Sequence, residues 1–179
     1  GGWSLDEHCP GGILTLDQRP SYFHERFKKV YEIPYRCLYS KNVPNLMFAG
    51  RNVSVSHMAL SSTRIIGTCC MMGQAVGVAT AMCIEKNINP REIYLSYIDE
   101  LQERMLRNDY YIPNRPANDS NDLTRTVDKV WATSTSSGDV HNLFDGVARD
   151  EENKIHHWQS DGLNEKLFLE WKKPVEMSS

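Results

Sequence analysis

The feature that most constrains this chain lies between Arg64 and Glu85, where no charged residue occurs although 24% of the protein is Asp, Glu, Lys or Arg. About twenty uncharged residues are long enough for a membrane span. However, Gln74, two threonines and three glycines dilute the hydropathy, and the stretch lacks the aromatic belts and basic flank that orient such spans. We therefore expect no membrane span but a buried helix of a soluble protein, apolar all round, that stops at Asn87 and Pro90.

Small residues and the beginning of this helix indicate that something packs closely against it. Gly73 and Gly77 lie one turn apart and Ala81 continues their face, so another backbone or a flat ligand can approach. The first N–H groups of a helix have no intrahelical partner and carry about half a positive charge. An electron-rich group could rest against them around Gly67. Alternatively, capping side chains from residues 61–63 and water bond these donors.

Charge and cysteine content limit the classes of partner. A net charge of −3 and a pI near 6.1 give no electrostatic footprint for nucleic acid. The five cysteines show neither CxxC pairs nor zinc-ligand spacing, so we predict buried free thiols and no metal site. The sequence begins without Met and without a signal peptide. We therefore expect a processed or excised piece, whose cellular location the sequence does not indicate.

The rest of the first two thirds of the chain alternates apolar runs with turn formers. Residues 35–39 and 46–50 are predicted as strands, the second buried on both faces. Residues 51–63 are predicted to form a polar loop. Pro90 suits the first turn of a further helix. Residues 96–107 have Ser at the expected N-cap and apolar residues at helical spacing, which predicts an amphipathic surface helix.

The sequence NLMFAGRNVSVSHMALSSTRIIGTCCMMGQAVGVATAM, residues 45–82, resembles the carboxyl-terminal signature of a family of FAD-dependent oxidoreductases. In that family a strand runs into Ala-Gly-Arg, a Ser/His loop follows, and a helix carries the pattern GT-x-x-x-x-GQA-x-G. GGWSLDEHCPGG and IPYRCLYSKNVPNLMFAGR are also similar, so the resemblance covers about residues 1–116. It implies an α/β fragment: the last strand, loop and buried helix of a Rossmann-like FAD-binding domain, plus an amphipathic helix.

The resemblance also implies which residues contact FAD. The implied cofactor-binding residues are Ala49, Gly50, Arg51, Gly67, Thr68 and Cys69. Gly50 would let the chain pass close to the cofactor, and the amino end of the helix would face the N1–C2=O edge of the flavin, which becomes negative on reduction. His57 and Arg64 are the candidate catalytic residues, to orient a substrate or take a proton. The alternatives are an ion pair for Arg51, a surface role for His57 and helix capping for Arg64; Asp6 and His8 are weaker candidates.

The chain departs from this family at its amino end. Such enzymes hold the ADP half of FAD with a GxGxxG loop, whereas Gly11-Gly12 has neither the spacing nor a flanking strand and helix. We therefore expect that the amino-terminal FAD-binding half is missing. We also expect this polypeptide alone to bind FAD weakly or not at all and to be inactive.

After a predicted linker over residues 117–126, the tail changes character. VWATSTSSGDVHNLFDG, WQSD and LFLEWKKP, within residues 127–179, resemble the opening of discoidin-like, galactose-binding-like β-sandwiches. This implies an incomplete β-sandwich with Trp158 and Trp171 in its core rather than on a sugar platform. Asp145 could join a calcium site, although an Asp-Gly turn is the favoured interpretation.

The two resemblances together predict part of a FAD-dependent oxidoreductase joined to a glycan-binding-like tail. The reaction would be hydride transfer from a small organic or carbohydrate-derived substrate to the flavin. The alternative is a carbohydrate-active protein such as a polysaccharide lyase, because relatives with this architecture are sometimes labelled xanthan lyases. A third alternative is a non-catalytic glycan-binding module.

Overall fold

The computed structural model of the protein describes residues 1–8, 14 and 22–177. Contacts within the chain divide it into two compact units, Gly1–Met105 and Leu106–Ser179. Helices combine with small two-stranded sheets, in agreement with the expected α/β class at this coarse level. Each strand pair among the described residues is antiparallel.

The first unit contains one small sheet and a series of helices. Its elements are β1 (Leu5–His8), β2 (Tyr22–Glu25), a 3-10 turn (Tyr35–Leu38), α1 (His57–Thr63), α2 (Ile66–Lys86), α3 (Pro90–Glu92), a π-helical turn (Ile93–Tyr97) and α4 (Ile98–Leu106). β1 and β2 pair with Leu5 opposite Glu25. α1 packs against β1.

α2 is the predicted uncharged helix, but it is not buried all round. It ends where Asn87 takes the left-handed conformation with φ of 52° and its N–H bonds to carbonyls of the last turn. One stripe of the helix is buried, namely Thr68, Met72, Ala75, Ala79 and Met82. Elsewhere Ile66 is 81% and Ile84 77% exposed. The expectation of burial on every face is therefore wrong, because the described residues cover only one side of the helix.

α2 is also long and apolar enough to cross a membrane by length and composition. The core helix of a soluble protein passes the same test.

Two segments that were predicted as strands are not strands. Residues 35–38 form the 3-10 turn, in which the N–H of Cys37 bonds to the carbonyl of Pro34 at 2.9 Å. Residues 46–50 make a single antiparallel bridge, Tyr39 with Met47. A buried strand needs a ladder on each side, and no such ladder flanks residues 46–50 in the described part of the chain.

The predicted loop over residues 51–63 is also wrong in its second half, because α1 begins at His57. Ser56 supplies the N-cap, and its Oγ accepts a hydrogen bond from the N–H of Ala59 at 3.3 Å. Hydroxyl-rich sequences disfavour helix interiors, which is why the pattern pointed to a loop.

The later amphipathic helix is confirmed, although it is capped earlier than expected. Asn89, not Ser96, is the N-cap, and Asn89 and Glu92 form a reciprocal capping box around Pro90. The N–H of Asn89 donates to Glu92 Oε2 at 2.8 Å. α4 then continues to Leu106 after the π-helical turn.

The buried core of the first unit lies between α2, the 3-10 turn and the last helices. Its largest fully buried side chains are Met82, Ile93 and Leu101. Tyr35 OH donates to the carbonyl of Pro90 at 3.1 Å, and burial raises the pKa of Tyr35 well above its usual value. This hydrogen bond ties the 3-10 turn to the beginning of α3.

The second unit contains two more antiparallel pairs. β3 (Lys129–Ala132) pairs with β6 (Leu167–Glu170), and β4 (Ser137–Gly138) pairs with β5 (Trp158–Gln159). Short 3-10 turns occur at Leu123–Thr126 and Val140–Phe144. Apart from Leu106, the buried hydrophobic side chains of the described residues all belong to the first unit.

Candidate functional site

The amino end of α2 lies beside Gly50. A Cβ placed on Gly50 would stand 3.9 Å from Cys69 Sγ. Gly50 has a φ of 92°, a conformation that residues with side chains rarely adopt. Ile65 is the N-cap of α2, and no side chain caps the helix there. The first N–H groups of α2 are therefore not bonded to a capping side chain, and the Cys69 side chain in the first turns of α2 lies next to a backbone without a Cβ.

The three hydroxyl residues that were candidates to cap α2 form other hydrogen bonds. Ser61, Ser62 and Thr63 are buried in α1. Ser61 Oγ and Thr63 Oγ1 donate to carbonyls of α1 itself, at 2.6 and 3.1 Å. Ser62 Oγ donates to the carbonyl of Trp3 and lies 2.5 Å from Tyr31 OH. Their hydroxyls stabilise α1 and its contacts rather than the amino end of α2.

The remaining predicted cofactor-binding residues differ in their exposure to solvent. Gly67 is exposed, and a Cβ placed on it would meet no atom within 4 Å. Thr68 is only 8% exposed and belongs to the buried stripe of α2. Ala49 is half-buried. Arg51 is exposed, and no ion pair joins it to another described residue.

The two predicted catalytic residues both contact β1. His57 Nδ1 lies 3.6 Å from Glu7 Oε1, and the His57 side chain is 87% exposed. Arg64 Nη2 donates to the carbonyl of Asp6 at 3.0 Å and lies 4.0 Å from Asp6 Oδ2. Arg64 is also the C-cap residue of α1, with its N–H bonded back into the helix. One strand therefore gathers residues from both ends of α1.

Glu7 is the member of this group that sequence reasoning missed. Its Oε1 is buried and accepts no hydrogen bond from the described residues. His8 Nε2 lies 3.5 Å from Asp6 Oδ1, so both weaker candidates belong to the same group. We call Asp6, Glu7, His8, His57 and Arg64 the β1–α1 charged cluster. No local sequence pattern predicts this cluster, because the residues of β1 and those of α1 are far apart in the sequence.

In the second unit, histidines pair with aspartates. His141, His156 and His157 place Nδ1 at 2.7, 2.6 and 2.7 Å from carboxylate oxygens of Asp139, Asp145 and Asp150 respectively. Asp145 Oδ1 also accepts from the N–H of Val147 at 2.8 Å, so its carboxylate closes a local turn. Among the described residues, no group of three or more His, Cys, Asp or Glu side chains could hold a metal ion.

The tryptophans of the second unit serve two different roles. Trp158 Nε1 donates to the carbonyl of Ser134 and Trp171 Nε1 to that of Leu123, both at 3.2 Å. Both rings are half-buried rather than fully in a core. Trp131 instead stacks on Phe168, with ring centroids 5.1 Å apart, and these side chains are 44% and 37% exposed.

Comparison with known proteins finds a family match for the first unit. The model of the FAD dependent oxidoreductase family matches residues 1–105, and this match ends where the first compact unit ends. No curated protein and no solved structure matches the chain. Membership of this family implies that the intact protein binds FAD. Because the match covers more than half of the sequence, this chain belongs to the FAD-dependent oxidoreductase family.

Proposed function

We propose that the intact protein transfers a hydride from a small organic or carbohydrate-derived substrate to FAD, and that it is not a polysaccharide lyase. The observation that supports this most is the approach of Gly50 to Cys69 at the uncapped amino end of α2. Both segments lie inside the family match. FAD supplies hydride acceptance when bound, and the residues of this chain bind and orient its flat ring.

The residues at this junction fit a flat aromatic group. Gly50 and Gly67 present no side chain, and Ala49 presents a small one. The amides at the start of α2 can donate hydrogen bonds, and the helix dipole favours negative charge there. These are the properties needed beside the N1–C2=O edge of a flavin, which becomes negative on reduction. Thr68 would contribute through its backbone, because its side chain is buried.

The β1–α1 charged cluster would serve the substrate. Removing a hydride from a carbon that bears a hydroxyl leaves the hydroxyl proton to be taken by a base. The exposed ring of His57 would take it through Nε2, while the nearby Glu7 carboxylate faces Nδ1. Arg64 would act as a positioning residue, because it holds β1 through the carbonyl of Asp6.

We propose that this polypeptide supplies one side of the FAD site and binds the cofactor weakly by itself. The sequence contains no GxGxxG loop, and a large part of α2 is exposed. Titration of this chain with FAD, followed by flavin fluorescence, should show no stoichiometric binding. A purified yellow chain with one flavin per polypeptide would contradict this proposal.

The flavin site itself is tested in the full-length protein that contains these residues. Gly50→Val should weaken FAD binding by at least about tenfold, because the new side chain enters the approach to α2 and strains the backbone. Gly162→Ala is the control, since a Cβ at Gly162 in the second unit meets no atom within 4 Å. Unchanged FAD affinity in Gly50→Val would overturn the assignment.

One observation favours a glycan-binding role for the second unit. The stacked and exposed rings of Trp131 and Phe168 form an apolar platform on the sheet of β3 and β6. Exposed aromatic patches mark binding sites more often than isolated apolar residues do. A glycan array probed with the full-length protein and with its Trp131→Ala variant tests this, and equal binding by both proteins would contradict it.

A further inference from the structure

A pocket in the first unit is lined by three basic side chains and, among the described residues, by no acidic one. Its volume is about 420 Å³, which lies in the range of small-molecule sites. The residues of its wall that matter here are Arg36, Lys41, Arg91, Tyr39, Phe48 and Ser54. None of them belongs to the junction of Gly50 with α2 or to the β1–α1 charged cluster.

Backbone hydrogen bonds hold the wall of the pocket together. The N–H of Phe48 donates to the carbonyl of Leu38 at 2.8 Å, and the N–H of Ser54 donates to the carbonyl of Cys37 at 3.0 Å. These bonds place two separate segments beside the turn that carries Arg36. The pocket is therefore built on paired backbone, not on one free loop.

Arg91 closes the pocket from a different element. It sits in α3, between the two residues of the capping box, and its Nη2 donates to the carbonyl of Lys41 at 3.3 Å. Its guanidinium lies 5.9 Å from the centre of the Tyr39 ring, within reach of a cation–π contact. Two independent contacts thus hold its positive charge at the pocket.

No acidic side chain in the described part of the chain forms an ion pair with the positive charges of the pocket. Arg36 and Lys41 are exposed and form no ion pair with any described side chain. The carbonyl contact of Arg91 involves no negative charge. Concave surfaces lined by one sign of charge raise the local concentration of ligands of the opposite sign.

We propose that this pocket binds the phosphate group of a phosphorylated small molecule. A phosphate monoester carries up to two negative charges and offers several acceptor oxygens, which suits arginine side chains with their fork of donors. A carboxylate carries one charge and would leave most of the pocket charge unmatched. The volume exceeds that of a bare phosphate, so the organic part of the ligand lies against Tyr39 and Phe48. The proposal does not depend on flavin binding.

Calorimetric titration of the purified protein at constant ionic strength tests the proposal. The probes are glucose 6-phosphate, inorganic phosphate, neutral glucose, glucuronate and FAD. Glucose 6-phosphate should bind saturably with one site, inorganic phosphate more weakly, and glucose not at all. The double variant Arg36→Gln/Lys41→Gln should lower the affinity for glucose 6-phosphate at least about tenfold.

A matched control separates a site from general charge attraction. Arg26→Gln/Lys28→Gln removes the same two charges from the same unit at exposed residues outside the pocket wall, and it should leave glucose 6-phosphate binding within about twofold. If the pocket variant weakens the binding of FAD instead of glucose 6-phosphate, the phosphate site stands, and the phosphate that it binds belongs to the cofactor. Equal losses in both double variants, glucuronate binding as tight as glucose 6-phosphate, or no saturable binding of any phosphate would overturn the proposal.

Discussion

Gly50 and Gly73 give a residue-scale test, because the same substitution should change stability in opposite directions. Gly50→Ala should destabilise the first unit by about 1–2 kcal/mol, since the φ of 92° disfavours any side chain although there is room for the methyl group. Gly73→Ala should stabilise α2 by up to about 1 kcal/mol, because a Cβ there meets nothing within 4 Å. Urea unfolding followed by helix circular dichroism measures both. Equal changes would contradict the conformational argument.

The cysteines provide a second residue-scale test. Cys37, Cys69, Cys70 and Cys83 are free, as expected, but none is fully buried and Cys70 is exposed; Cys9 lies outside the described residues. Burial, and then the charge of Glu92, raise the pKa of the Cys83 thiol, which lowers its thiolate fraction.

We therefore expect a soluble thiol reagent to label Cys70 several-fold faster than Cys83. Peptide mapping by mass spectrometry at mildly alkaline pH assigns each rate. Cys70→Ser should remove the fast phase and leave the rate of Cys83 unchanged. Equal labelling rates for the two thiols would show that burial does not slow the reaction of Cys83 as described.

At the scale of elements, the capping box of α3 lends itself to a matched pair of variants. Asn89→Ala should lower stability by about 1 kcal/mol, because an N-terminal N–H loses its side-chain acceptor. Glu92→Gln should cost much less, since the glutamine carbonyl can still accept from the N–H of Asn89. Thermal unfolding of both variants measures these two losses of stability. A loss in Glu92→Gln as large as that in Asn89→Ala would point to charge rather than capping.

α2 and the amphipathic helix after it were predictable from local signals, whereas α1 and the conformation of residues 35–38 and 46–50 were not. α2 follows from an uncharged run that ends at Asn87 and Pro90, and those stop signals act on the chain locally. Residues 46–50 have the composition of a buried strand, yet a strand forms only where neighbours supply a ladder, and Met47 has a single bridge. The burial of α2 likewise depends on what covers it, which its own sequence does not determine.

The candidate site divides in the same way. The approach of residue 50 to the start of α2 was expected from the family resemblance, which joins both segments in one motif. The contacts of His57 and Arg64 with β1 were not expected, because Leu5–His8 shows no strand pattern and the contact spans a long sequence separation. Glu7 could be found only by its proximity to His57.

At the scale of the whole molecule, the two units differ in what stabilises them. The first has a buried apolar core around Met82, Ile93 and Leu101. In the second, exposed carboxylates accept backbone hydrogen bonds: those of Asp128, Asp139 and Asp150 accept from the N–H groups of Lys172, His141 and His156 respectively. Stability of the second unit should therefore depend more on pH.

The sign of this dependence follows from the three pKa values. Those backbone hydrogen bonds, and then the nearby side chains of Lys172, His141 and His157, hold the pKa of Asp128, Asp139 and Asp150 below the usual 3.8. A carboxyl with a lowered folded-state pKa contributes stability above its unfolded pKa, and that contribution is lost as the pH falls through the folded value. Acid should thus weaken the second unit at pH values near and below 3.8.

Tryptophan fluorescence can follow this loss, because Trp131, Trp158 and Trp171 lie in the second unit and Trp3 in the first. Between about pH 7 and about pH 3, the denaturation midpoint seen by tryptophan should fall further than the midpoint seen by helix circular dichroism, which reports mainly on α2 and α4. Asp150→Asn should reduce the pH dependence while lowering the midpoint at neutral pH. Parallel falls in both signals, with no difference in Asp150→Asn, would mean that these carboxylates do not stabilise the second unit.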